Sequence, residues 1–164
     1  MTVSDADLTA IATQLGRAPR GVRAIAFRCP CGKPAVIENE PRLPDGEPFP
    51  TLFYATCPKL NAAIGTLEGS GLMKELENNL AEDQELANRY QLAHQDYLNR
   101  RNAIEVLPEK LEFSAGGMPD RVKCLHALIA HSLAAGDGVN PIGELALVKL
   151  SNWWESGECV NDEQ

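Results

Sequence analysis

Long apolar runs are missing from this 164-residue chain: stretches such as Ala127-Leu128-Ile129-Ala130 fall far short of the roughly 20 residues a membrane-spanning helix needs. The N-terminus, Met1-Thr2-Val3-Ser4-Asp5-Ala6-Asp7, is acidic and lacks the basic-then-apolar layout of an export signal. Together these two absences predict a cytoplasmic protein. An excess of positive charge is also lacking. Fifteen Lys+Arg against 23 Asp+Glu give a formal charge of −8, which argues against a nucleic-acid binder working through bulk electrostatics. Cysteines are present, but five is an odd number for a chain without an export signal, so a disulfide framework is a poor reading. No internal repeat, low-complexity tract or long linker is visible. Neither a Walker-type nor a dinucleotide-binding glycine pattern occurs, so nucleotide hydrolysis through those folds is unsupported.

What remains is the composition of an ordinary globular domain, 44% apolar and 23% charged, long enough to bury a core without disulfides. Ser4 or Asp5 can cap a helix bearing Leu8, Ile11 and Leu15, stopped by Gly16. Val22 to Arg28 and Ala35 to Glu38 read as strands of a hairpin with Cys29-Pro30-Cys31-Gly32-Lys33-Pro34 at its tip. Thr51 to Thr56 reads as a third strand whose apolar run suits a buried central position. Cys57 precedes Pro58 at a helix N-terminus carrying Leu60, Ile64 and Leu67, where the helix dipole would favour its thiolate. Gly69-Ser70-Gly71 ends that helix, Leu72, Leu76 and Leu80 mark another, and Asp83 caps a long one reaching toward Pro108. Pro119-Asp120 signals a helix through Ala135, and Asn140-Pro141 a last one. The prediction is one α+β domain over residues 1–154, a small N-terminal antiparallel or mixed sheet packed against four to six helices. The C-terminal half is helix-rich, and residues 155–164 form an acidic, disordered tail.

Three distant segments supply soft ligands. Two thiolates on a hairpin turn resemble half of a metal knuckle, although one intervening residue is fewer than the usual two to four. Cys29, Cys31, Cys57 and Cys124 are the expected metal ligands, with His126 in reserve. Cys124 and His131 are seven residues apart, roughly 10 Å along a helix, too far to share one ion, and His126 joins Cys124 only if the first turn is irregular. Zinc is the expected metal and an iron–sulfur cluster the alternative. The competing reading packs the thiols as small apolar core residues. A thiol enzyme pairing Cys57 with His94, or Cys124 with His131, carries no sequence signature. His94 and His131 are the catalytic candidates.

Basic residues cluster without acids between Gly16 and Ile37, including Arg28, and again around His94, Tyr97 and Arg101 on one helix face. Arg121 and Lys123 would stand in the first turn of a helix behind Gly116-Gly117, a setting that suits a phosphate or carboxylate. Arg28, Arg101, Arg121 and Lys123 are therefore the expected anion-binding residues. Alternatively, His94 and Tyr97 are hydrogen-bonded in the core and the arginines pair with nearby acids such as Asp96, Glu105 or Glu112.

Phe27-Arg28-Cys29-Pro30, the run Asp45 to Tyr54, and Gly116 to His131 with Gly138-Val139-Asn140-Pro141 closely resemble a bacterial, largely actinobacterial family of unknown function numbered five-hundred-and-one. The likeness runs from about Arg20 to Leu150. It carries no established activity. Genomic neighbours of its actinobacterial members, a septum-formation protein and an exopolyphosphatase, imply a link to division or phosphate metabolism. The resemblance also implies histidine as a substitute at Cys57, which keeps a zinc ligand, and a non-ligand at Cys31, which does not. The expected function is metal binding beside a basic pocket for an anionic or phosphorylated small molecule, with hydrolysis as the chemistry. Its rival is a non-catalytic adaptor that holds a protein partner through an exposed Trp153-Trp154 pair.

Overall fold

A computed structural model describes residues 1–160. The sheet is antiparallel with strand order β1 (Val22–Arg28), β2 (Pro34–Asn39), β3 (Phe53–Ala55). Six helices complete the α+β fold: α1 (Asp5–Leu15), α2 (Pro58–Glu68), α3 (Leu72–Glu82), α4 (Gln84–Asn102), α5 (Leu125–Ala135) and α6 (Pro141–Leu147). None of the described helices is long and apolar enough to cross a membrane.

Alternation along the strands divides the core in two. Ile25 and Ile37 meet Ile11 of α1 on one face of the sheet. On the other, Val36, Phe53 and Ala55 meet the large core formed by α2 to α6. Helix α5 is the keystone of that core. Leu125, Leu128, Ile129 and Ala130 are fully buried against the sheet and neighbouring helices, and each buried Leu or Ile contributes roughly 1.5–3 kcal/mol. Helix α6 approaches α5 so closely that a side chain on Gly143 would overlap Ser132 Oγ and the Leu128 carbonyl.

Local signals explain most boundaries. Ser4 caps α1 in a reciprocal capping box with Asp7, Asp83 caps α4, and Asn140 caps α6 by accepting the Gly143 N–H. Three expectations need correction. The strand read at Thr51–Thr56 is only Phe53–Ala55 and lies at the sheet edge; Phe53 and Ala55 are buried on the face that α5 covers, Tyr54 is exposed on the other, and β2 takes the centre. The helix expected from Pro119 starts only at Leu125. Gly116 and Gly117, both at positive φ, turn the chain so that the N–H groups of Arg121 and Lys123 bond back to Gly117 and Gly116 carbonyls. Trp153 is buried, stacked edge-to-face on Trp154 with centroids 4.7 Å apart, so the pair is no exposed adaptor surface. Of the tail expected at 155–164, Cys159 packs on the core, and residues 161–164 lie outside the described residues.

Candidate functional site

The late start of α5 makes the site. Cys124, at the N-cap, is extended (φ −149°, ψ 107°), and this folds its side chain toward His126 in the first turn. Opposite, Glu68 closes α2. One of its carboxylate oxygens, Oε2, accepts the Leu125 N–H at 2.9 Å, a favourable placement for an anion at the N-terminus of α5. The other, Oε1, lies 3.0 Å from His126 Nδ1. One ligand atom from each of Glu68, Cys124 and His126 lies within 4.8 Å of the other two, and all three side chains are half-buried. His126 Nε2 is 3.3 Å from the Asn61 carbonyl, the backbone partner that commonly fixes the tautomer of a metal-binding imidazole.

Charge and geometry reinforce one another here. The hydrogen bond to His126, together with the Ala127 N–H, lowers the Cys124 thiol below its ordinary range. Cys124, with help from Glu68, raises His126 to about 9. Cys124 and His126 thus form a hydrogen-bonded pair in which each favours the charged form of the other. They open onto a cavity of about 500 Å³ lined by Phe53, Tyr54, Phe113 and Ala115, with Thr51 and Asn61 as its other polar side chains. At Gly116 an added Cβ would sit 2.7 Å from Leu128 side-chain carbons, so the wall of the cavity requires glycine there.

The remaining expected residues lie elsewhere. Cys29, Cys31 and Cys57 are not joined to Cys124. Burial pushes Cys57 up to about 12, overriding the helix N-terminus that would otherwise lower it. His94 is buried with Nδ1 2.7 Å from Ser114 Oγ, and His131 is fully buried between Asp96 Oδ2 (2.8 Å) and Asn140 Nδ2 (3.1 Å). Burial lowers both imidazoles. Neither borders the cavity.

The four basic residues do not converge. Arg28 forks onto Asp7 at 2.8 and 3.2 Å, and Arg121 pairs with Glu77 at 3.1 Å. Arg101 is fully buried and donates to the Pro50 and Lys110 carbonyls, while Lys123 is exposed. Arg121 and Lys123 cannot act from a helix N-terminus, because the helix begins after them. Glu68 was missed by sequence reasoning. A lone carboxylate before Gly69 carries no local pattern, and only the packing of α2 on α5 gives it a role.

The fold and site together define an α+β protein with a compact Glu/Cys/His group beside a cavity. Residues 25–148 match the family model described as a protein of unknown function, DUF501, and the chain belongs to that family. No curated protein and no solved structure matches it.

Proposed function

We propose that Glu68, Cys124 and His126 bind zinc and that the adjoining cavity is the substrate pocket of a metal-assisted hydrolase. The observation that carries this reading is the convergence of three different ligand types, Glu68, Cys124 and His126, of which Cys124 and His126 stand in the wall of a roughly 500 Å³ cavity. Carboxylate, thiolate and imidazole are all zinc ligands, and a site with three protein ligands keeps a position for water, the arrangement of catalytic zinc. If His126 Nε2 donates to the Asn61 carbonyl, Nδ1 presents a lone pair toward Glu68 Oε1. Two lone pairs at 3.0 Å need a cation between them, a proton or a metal ion.

The lining sets the substrate class. With Phe53, Tyr54 and Phe113 around it, the cavity favours a small molecule with an apolar or aromatic body. The positive charge for an anionic or carbonyl oxygen would come from zinc itself, since Arg28, Arg101, Arg121 and Lys123 stand away from this cavity. Bound water brought to a pKa of about 7 is the nucleophile such a site would supply.

Metal analysis on untagged protein tests the reading: Cys124→Ser and Glu68→Gln should each lose one equivalent of zinc and all hydrolysis of aryl ester and aryl phosphate probes. Zinc retained in both variants would overturn it. The lowered Cys124 thiol beside the raised His126 favours a second reading, a thiol nucleophile with His126 as its base. Activity that survives complete zinc removal and is then abolished by iodoacetamide would select it.

A further inference from the structure

The other four cysteines come together at the opposite end of α2. Cys29 and Cys31 stand at the β1–β2 tip, Cys57 at the N-cap of α2, and Cys159 in the chain after Trp154. Their thiols form a row: Cys29 reaches Cys31, Cys31 reaches Cys159, and Cys159 reaches Cys57. Segments more than 100 residues apart in sequence have brought four soft ligands together, and all four belong to or pack against the main core.

We propose that Cys29, Cys31, Cys57 and Cys159 form a second metal site, a closed structural zinc centre that clamps the C-terminal segment to the hairpin tip and α2. The donors around the sulfurs are those that a thiolate centre requires. The Cys31 N–H points at Cys29 Sγ (3.4 Å), and Gln14 Nε2 donates to Cys159 Sγ at 3.2 Å. The Lys33 backbone N–H serves Cys31. Such N–H groups stabilise negative sulfur, and a neutral thiol is a weak acceptor for them.

A separate observation marks the same place. The Trp153 indole N–H is buried without a hydrogen-bond partner, and the acceptor it approaches is the Cys29 sulfur. Buried donors of this kind are rare and costly, by about 1–3 kcal/mol. Charge on that sulfur would give this one an acceptor.

No three of the four sulfurs lie within 4.8 Å of one another, so an ion must draw the row into a tetrahedron, the four-thiolate geometry of structural zinc. Each thiol that binds gives its proton to solvent and no electron changes hands. Lys59 already fastens the segment beside the site, donating to Ser156 Oγ at 2.9 Å and the Gly157 carbonyl at 3.0 Å. This site does not depend on the Glu68, Cys124 and His126 reading.

The test uses the full chain with Cys124→Ser, which removes the first site. Cobalt added to the reduced protein should bind one per chain, with the intense thiolate-to-cobalt charge-transfer bands of a tetrahedral sulfur site, and Cys159→Ala in that background should abolish or sharply weaken them. A readout that needs no further variant is alkylation mapped by mass spectrometry. Zinc should slow modification of Cys29, Cys31, Cys57 and Cys159 together, by about tenfold or more. Absent cobalt bands, bands undiminished by Cys159→Ala, alkylation rates unmoved by zinc, or a disulfide with no metal uptake after reduction would each overturn the proposal.

Discussion

His126 and His131 are five residues apart on the same helix and have opposite environments. His126 sits in the first turn, half-buried, where Cys124 and Glu68 raise it to about 9. His131 is fully buried further along the helix, between Phe53 and Tyr97, and burial lowers it. Asn140 Nδ2 donates to its Nδ1, so its Nε2 carries the proton given to Asp96. Every polar atom of the His131 ring is thereby used for structure. His126 is instead held beside two further ligand-type groups at a cavity wall. The contrast shows that on one helix the depth of burial and the number of committed partners separate a core histidine from one available for chemistry.

The largest expected effect tests the buried member of the pair. His131→Ala removes a fully buried ring and strands Asp96 and Asn140, so it should cost about 3–4 kcal/mol in denaturant unfolding. His126→Ala in metal-free protein should cost less than about 1 kcal/mol. Equal losses would erase the distinction.

Next in size, Cys124→Ser should weaken zinc binding by at least about 100-fold, or about 2.7 kcal/mol, in a chelator competition. Asn140→Ala removes both the α6 cap and the His131 partner and should cost about 2 kcal/mol in thermal unfolding.

The pH dependence of stability sharpens the comparison further. The Arg28 fork holds Asp7 down from 3.8 to about 2, so its contribution is present above pH 3.8 and lost as pH falls toward 2. At most about 2 kcal/mol is at stake, and Arg28→Met should remove most of that acid limb, the Ser4 hydrogen bonds keeping the rest. For His131 the folded group resists protonation. Its neutral state is therefore matched to the fold above the ordinary value of 6.5, and stability declines as pH falls below it.

The smallest effect concerns thiol reactivity. Without metal at neutral pH, Cys124 should be alkylated at least about tenfold faster than buried Cys57, as followed by peptide mass spectrometry.

Local patterns carried much of this fold. The capping box at Ser4, the Asp83 and Asn140 caps, and Pro58 after Cys57 each specify a helix start within a few residues, and the hairpin is legible from Val22 to Glu38. The start of α5 was not legible. Pro119-Asp120 looks like a helix opening, yet Gly116 and Gly117 turn the backbone onto itself until Cys124. That delay of a few residues moved Cys124 from a helix to its N-cap and put His126 within its reach.

By itself, the sequence determined the α+β class, the caps that set most helix ends, and a supply of thiols and imidazoles too large to dismiss. Tertiary structure decided which of them meet. Glu68 joins Cys124 and His126 only because α2 packs on α5, and Cys159 joins the hairpin thiols from the far end of the sequence. Helical and strand periodicity are local properties of the chain, whereas a ligand group is an intersection of distant segments that no local spacing encodes.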